Sequence, residues 1–276
     1  MTERADPPPE ARNIRLTLAY DGTAFCGWQA QSVRTHALSL QTAADAAVCR
    51  RTVQGVVEAA LEKMHQRRVP LAGAGRTDSG VHAAGQCANF FTTIASMDAG
   101  RFVPALNSLL PPDVRVLDAS LCAPEFHARF DAKFRVYRYF LICGRQALPH
   151  ESRYALNLRR TPDIQRLNSY CRILRGELDC SLFASPRDSA FTRGSGSRFR
   201  FIRNAAFWAA GGRVVFEVSA NAFFWKMVRS MLGTLLWYEE RGADTAQFAA
   251  VLAGGERANA GPTAAPAGLF LWRVEY

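Results

Sequence analysis

The residues best equipped for chemistry are eight in a row, Gly75-Arg76-Thr77-Asp78-Ser79-Gly80-Val81-His82. A carboxylate follows an arginine by two positions, inside a turn made by Gly73, Gly75 and Gly80. Glycine lacks a Cβ, so such a turn can bend tightly and let a ligand approach the backbone. A nearby guanidinium would hold Asp78 ionised, and an ionised carboxylate is both a nucleophile and a pure hydrogen-bond acceptor. The same window fits an aspartate that caps its own turn. Taken alone, the window leaves both readings open.

Elements on either side must position this loop. Ile14–Tyr20 alternates apolar with other residues, as a strand with one buried face does, and Asp21-Gly22 breaks it. Val53, Val56, Val57, Ala60, Leu61 and Met64 recur at helical spacing from a start near Thr52. After the glycine-rich loop come a strand from Gln86 to Phe91 and a short helix near Phe102–Leu110, stopped by Pro111-Pro112. Val114–Leu117 reads as a further strand. The second half has similar grammar: a strand at Arg135–Leu141, then a helix with Ile164, Leu167, Cys171 and Leu174 on one face. A polar loop spans Ser185–Arg198, a strand Arg213–Ala220, the longest helix about Ala222–Glu240, and a last strand Leu269–Tyr276. Strands and helices mix without strict βαβ alternation, which predicts an α+β fold with helices on an antiparallel sheet. The expected organisation is a tail over 1–13, an N-terminal half over 14–122 carrying the Asp78 loop, and a C-terminal half over 123–276. The junction is expected near Ala119–Glu125. The Ala-rich stretch Arg34–Arg50 is read as helical or mobile.

Composition narrows the function classes. Of 276 residues 49% are apolar, as expected for a globular chain, and no apolar run nears the ~18–20 residues that span a bilayer. A soluble, intracellular protein is expected, in the cytoplasm, with an organelle or the nucleus as alternatives. Seven scattered cysteines form no CxxC pair, so neither a zinc cluster nor a disulfide framework is indicated. The net charge is +10, carried by 31 Arg and only 3 Lys, and residues 144–203 hold twelve arginines against five acids. Such a local excess suits a polyanion, and arginine is the better phosphate fork and base-stacking group. GC-rich coding sequence also raises Arg and Ala together, so charge alone does not separate RNA from DNA or from no nucleic acid.

Several stretches in order resemble one family. They are Tyr20-Asp21-Gly22-Thr23 with Phe25, Gly27-Trp28-Gln29 and Gln31; Thr52-Val53-Gln54-Gly55; Gly75–His82 with Gly85-Gln86; and Phe126-His127-Ala128-Arg129 running to Arg135, Tyr137 and Tyr139. Asn221-Ala222-Phe223, Met227-Val228-Arg229, Gly233 and Thr263–Leu269 complete the pattern. Together they resemble the tRNA pseudouridine synthase A (TruA) family from Ile14 to Tyr276.

The resemblance implies a pseudouridine synthase fold: two ferredoxin-like or RRM-like halves forming one extended, mainly antiparallel sheet flanked by helices, with a basic central cleft. It implies an RNA isomerase that needs no cofactor or metal, takes tRNA as partner and works as a homodimer; the lack of a long apolar run adds the expectation of no membrane association. The reaction cuts the N1–C1′ bond of uridine and rejoins the ring through C5, at uridines 38, 39 and 40 of the anticodon arm in the usual members. Related enzymes act at other tRNA positions or on other RNAs. Asp78 matches the essential aspartate, Tyr137 the active-site tyrosine and Arg229 the basic partner of the aspartate. Arg76 is implied to contact RNA and fill the gap left by the flipped base. Arg129, Lys133 and Arg135, with Arg138, are read as a phosphate-contact strand, though alternation would send some to the far face. His82 is read as a structural histidine bonding the loop backbone.

This chain also departs from the pattern. The segment joining Gln31 to Thr52 is longer than in compact members, the Gly176–Phe183 window lacks the histidine and first phenylalanine of the family's Gly-x-His-Asp-Phe pattern, and Trp225-Lys226 stands where histidine is usual. Two other classes remain in view. A tRNA-binding protein without catalysis would use the basic residues, but it has little use for Asp78, Tyr137 and Arg229 together. A metal-dependent hydrolase using Asp78 and His82 lacks further ligands.

Overall fold

The structure is a computed structural model describing residues 10–29, 51–185 and 197–276. The proline-rich tail before Glu10, Gln31, the Arg34–Arg50 stretch and most of the Ser185–Arg198 loop lie outside the described residues. Two compact units emerge, Met1–Ala132 with Tyr276, and Lys133–Glu275. Both mix helices with mainly antiparallel strands, the α+β class that the sequence predicts.

In the first unit, β1 (Arg12–Tyr20) is flanked by β3 (His82–Thr92) and β4 (Val114–Leu121), both antiparallel to it, and the short β2 (Ala72–Gly73) pairs with β3. Period-2 alternation puts Ile14, Leu16, Leu18 and Tyr20 on one face, each at most 5% exposed, beside Gln86, Ala88 and Phe90 of β3. The register slips between Leu18 and Tyr20, since Leu18 faces Gln86 while Tyr20 faces Ala83. Such a slip re-aims a side chain at the end of a strand. Helix α1 (Val53–His65) is capped by Thr52, whose hydroxyl accepts from Gly55 N–H. It buries Val53, Val57, Ala60 and Leu61, and His65 closes it by meeting Phe90 edge-on and Thr92 through Nε2. Helix α2 (Phe102–Leu109) packs Phe102 against Phe90 at 5.4 Å.

The segment after β4 stays with this unit. Asn13 donates to the carbonyls of Ala123 (3.0 Å) and Phe126 (2.8 Å), and Asn89 accepts from Ala128 N–H at 2.9 Å. Two buried asparagines thus tie residues 123–128 to β1 and β3, and the division falls after Ala132 rather than at Ala119–Glu125. Tyr276 joins the same patch, donating to Ala128 O at 2.8 Å.

In the second unit the strand order is β10-β5-β9-β8-β7, all antiparallel, with β6 parallel to β5. The strands are β5 (Phe134–Cys143), β6 (Leu156–Leu158), β7 (Gly176–Asp179), β8 (Phe199–Ala210), β9 (Arg213–Ala220) and β10 (Leu269–Glu275). One face carries Tyr139, Leu141, Phe216, Val218, Ala205 and Leu271, all fully buried. Helix α3 (Ile164–Leu174) lies on β8, with Asn168 exchanging two hydrogen bonds with the Phe207 backbone at 2.8 and 2.9 Å. Helices α4 (Met227–Glu240) and α5 (Thr245–Gly254) follow.

Three differences from the sequence reading have local causes. Helix α4 begins at Met227, not near Ala222, because Lys226 sits in the left-handed region at φ 60° and Asn221 spends its side chain on the backbone of Phe201 and Ala222. Strand β8 was hidden because the register shift between Ile202 and Asn204 breaks its alternation. Helix α5 is apolar nearly all round, so periodicity is weak; its Asp244–Gln247 capping box was the available signal.

Candidate active site

The Asp78 loop leaves β2 and enters β3, and nearly every residue in it is tied to a neighbour. Gln86, fully buried on β3, donates from Nε2 to Gly75 O at 2.8 Å. Thr77 O accepts from Trp28 N–H at 3.1 Å, and Thr77 Oγ1 meets the Tyr20 hydroxyl at 2.9 Å. Beyond Asp78, the Ser79 hydroxyl and Gly80 N–H both reach Phe25 O, at 3.2 and 3.3 Å. Asp78 O accepts from Val81 N–H at 3.1 Å, closing the turn.

The partner of the loop is therefore the turn after β1, the Phe25-Gly27-Trp28 motif. Gly27 makes the approach possible. It holds φ +98°, and a Cβ there would lie 2.5 Å from Thr77 O and 3.2 Å from Asp78 C. An L side chain would be excluded twice, by conformation and by space. The two motifs, about fifty residues apart, are thus one construction. Asp78 is half-buried at its apex, a setting in which a carboxylate can be fixed in direction while remaining reachable.

Arg76 is exposed on the same loop. Desolvation first, and then the Arg129 guanidinium nearby, push its pKa down. Two guanidiniums close enough to repel form a place where an anion such as a phosphate is welcome. His82 is fully buried, and its Nδ1 accepts from Gly22 N–H at 3.0 Å. The same Nδ1 lies 3.2 Å from Asp21 Oδ1, and both contacts support the reading of His82 as a brace of the backbone.

In the second unit, Tyr137 and Arg229 sit on regular elements. Tyr137, 8% exposed, lies on β5 opposite Val218 and Leu271, with Phe223 edge-on to its ring at 5.1 Å. Arg229 is half-buried in the first turn of α4. Its Nε donates to Ala264 O at 2.8 Å, while its own carbonyl accepts from Ala264 N–H at 3.1 Å. Next to Ala264, the Ala265 carbonyl accepts from the buried Tyr139 hydroxyl. The Thr263–Leu269 motif is thus a collar for α4 and β5, a role its sequence gave no hint of.

The basic residues of the expected phosphate strand fare differently. Arg129 and Lys133 are exposed. Arg135 is partly spent, donating from Nη1 to Asn221 O at 2.8 Å. Arg138 is committed to the protein: Nε meets Glu217 at 2.8 Å, directly across the strand pair, and its guanidinium lies 4.3 Å over the Trp272 ring. In the departing window, Asp179 accepts from the backbone and hydroxyl of Ser181. Lys226 places its ammonium 4.2 Å over the Trp225 ring.

Among the described residues no helix is long and apolar enough to cross a membrane. The six described cysteines are free thiols, and burial pushes those of Cys171 and Cys180 up to about 12. Cys87, Cys171 and Cys180 are buried as small core residues, while Cys26, Cys122 and Cys143 are half-buried.

Comparison with known proteins accords with this construction. The profile of the tRNA pseudouridine synthase family matches residues 17–131 and 171–276. A protein of Treponema denticola named tRNA pseudouridine synthase A is 48% identical over 96% of this chain and 93% of its own length. A protein of the same name from Treponema pallidum is 43% identical over 92% and 85%, and one from Chlorobium phaeovibrioides 38% identical over 96% and 99%. The matched segments contain Asp78 and its brace as well as Arg229 and its collar, and the chain belongs to the tRNA pseudouridine synthase family.

Proposed function

We propose that this protein isomerises uridine to pseudouridine in the anticodon arm of tRNA, at positions 38, 39 and 40, with Asp78 as the reacting carboxylate. The supporting observation is the pinned loop: Gly27 lies against the Thr77 and Asp78 main chain, so the backbone that carries the carboxylate is set before substrate arrives. A group already held in its reactive direction does not lose that freedom again in the transition state. Uridine and pseudouridine are isomers. The N1–C1′ bond breaks, the freed uracil turns, C1′ bonds to C5, a proton leaves C5 and N1 ends protonated. Asp78 either attacks ribose or base as a nucleophile or assists a glycal route; both need it ionised.

In this reading Tyr137 stacks on the uracil and its hydroxyl takes part in removal of the C5 proton. Arg229 keeps the aspartate charged and directed. Arg76 fills the gap left by the flipped base, and Arg129, Lys133 and Arg135 contact phosphates, while the working protein is a homodimer on tRNA. The deciding experiment measures pseudouridine in an unmodified tRNA after incubation with wild-type and Asp78→Asn protein. Formation by the wild type and loss of roughly a thousandfold or more in the variant are expected. Equal modification by both proteins would remove Asp78 from the chemistry. Mapping the modified positions in the wild-type product tests the anticodon-arm assignment separately.

A further inference from the structure

We infer that Tyr20, Thr77 and Gln86 form a buried positioning device that sets the direction of Asp78, so that their hydroxyls and amide act on turnover rather than on substrate binding. The inference rests on the proposed role of Asp78. None of the three side chains is open to solvent: Tyr20 is 5% exposed, Thr77 7% and Gln86 0%. Buried polar groups are costly unless paired. The two hydroxyls pair with each other and the Gln86 amide nitrogen pairs with the loop, while Gln86 Oε1 is left without a partner among the described residues. The Tyr20 hydroxyl meets Thr77 Oγ1 at 2.9 Å. Gln86 Nε2 holds Gly75 O at 2.8 Å.

The device thus grips the residue immediately before Asp78 and the residue three before it. Above them, the Thr77 carbonyl is held by Trp28 N–H at 3.1 Å, and the Trp28 ring lies 6.1 Å from that of Tyr20. The hydroxyl pair therefore fixes the side-chain end of Thr77 while Trp28 fixes its main chain. With both ends held, rotation of the Thr77–Asp78 peptide is suppressed, and the backbone from which the carboxylate projects is fixed. Burial drives the Tyr20 hydroxyl far above its ordinary pKa, so the contact stays neutral across the working pH range. The slip of register between Leu18 and Tyr20 is what lets the ring reach this position at the end of β1.

Purified full-length protein is assayed on an unmodified tRNA with Tyr20→Phe, Thr77→Val, Thr77→Ser and the Tyr20→Phe/Thr77→Val double variant. Each single variant removes or keeps one hydroxyl with little change of volume, and the double variant removes both. Expected is a fall in kcat of about tenfold to a hundredfold in both hydroxyl-less single variants, with KM within about twofold of wild type. Thr77→Ser should restore most of kcat, and the double variant should be no worse than the poorer single one, since both break the same contact. If Tyr20→Phe fails to fold, the Thr77→Val and Thr77→Ser pair still decides. Unchanged kcat in Thr77→Val, a rise confined to KM, or additive losses in the double variant would overturn the inference. A wild-type protein that makes no pseudouridine would instead overturn the proposed function, so the two failures are distinguishable.

Discussion

Both units seat a key residue by letting backbone approach backbone at a glycine, but they assign the parts in opposite ways. In the first unit the glycine stands on the scaffold and the functional side chain on the loop: Gly27 lies against Thr77 and Asp78. In the second the functional side chain stands on the helix and the loop is the support. Gly233 of α4 lets Pro262 and Ala264 approach, and Ala264 in turn holds Arg229 Nε. A reacting group on a loop depends on every bond that orients the loop. A group on a helix inherits its direction from the helix and needs support mainly for its far end.

This contrast predicts different failures for the same substitution. Gly233→Ala has the larger effect on folding, because its Cβ would fall 1.8 Å from Pro262 O. Alanine is the better helix former by about 1 kcal/mol, so any loss comes from the clash. About 3 kcal/mol or more is expected, read as a fall of roughly 5–10 °C in Tm. The folded fraction should keep measurable turnover. Gly27→Ala should cost less stability, about 1–3 kcal/mol of local strain, yet reduce kcat by about a hundredfold by turning Asp78 away. Thermal unfolding and turnover measured on both variants check the pair. Full activity in folded Gly27→Ala protein would mean that the Asp78 loop holds its own shape.

How much of this could be read from the sequence follows the range of the interactions. Elements with a clean period were legible: β1, α1, α3 and β9 have a stripe of Ile, Leu, Val or Phe that the folded chain buries. Strand β8 was not, because its register shift spoils the period and Phe199 and Phe201 stay exposed. At the candidate site, Asp78 stood out by residue type and glycine setting. Tyr137 and Arg229 did not; a lone strand tyrosine and a helix arginine carry no local mark, and family resemblance alone singled them out. The fit of Gly27 to Thr77, the Gln86 bond to Gly75 O and the Ala264 collar were invisible. Each brings a backbone atom against a residue outside its own element, and residue type does not encode such meetings.

Arginines sharpen the comparison between the units at smaller magnitude. Arg129 is exposed and close enough to Arg76 to lower its pKa, whereas Arg138 is held by Glu217 and stacked on Trp272. A cation already neutralised has few counterions to exchange for phosphate. Arg129→Gln should therefore weaken tRNA binding and reduce the slope of log affinity against log salt by about one. Arg138→Gln should leave the slope unchanged and cost about 1 kcal/mol of stability through the lost stack and ion pair. Binding measured across a salt series separates them, and equal slopes in the two variants would erase the distinction drawn from the contacts.

The smallest effect concerns acid stability of the second unit. The Arg203 guanidinium, bonded to Glu275 and assisted by Arg273, holds the Glu275 carboxyl down to about 2 from an ordinary 4.5. A carboxyl held low in the folded chain contributes stability that is fully present above its unfolded pKa. That contribution drains away as pH falls from about 4.5 through about 2. Both side chains are about a third exposed, 37% and 30%, so water screens the pair and its worth stays below about 1 kcal/mol. Glu151 is lowered in the same direction by Arg145, so acid weakening of the whole protein would not identify Glu275. The difference between wild type and Arg203→Met would, since Glu151 is common to both. Urea unfolding at pH 7 and pH 2.5 should show that difference shrinking in acid. A difference that persists at pH 2.5 would assign the role of Arg203 to its stack 4.3 Å over Phe134, a contact that no proton removes.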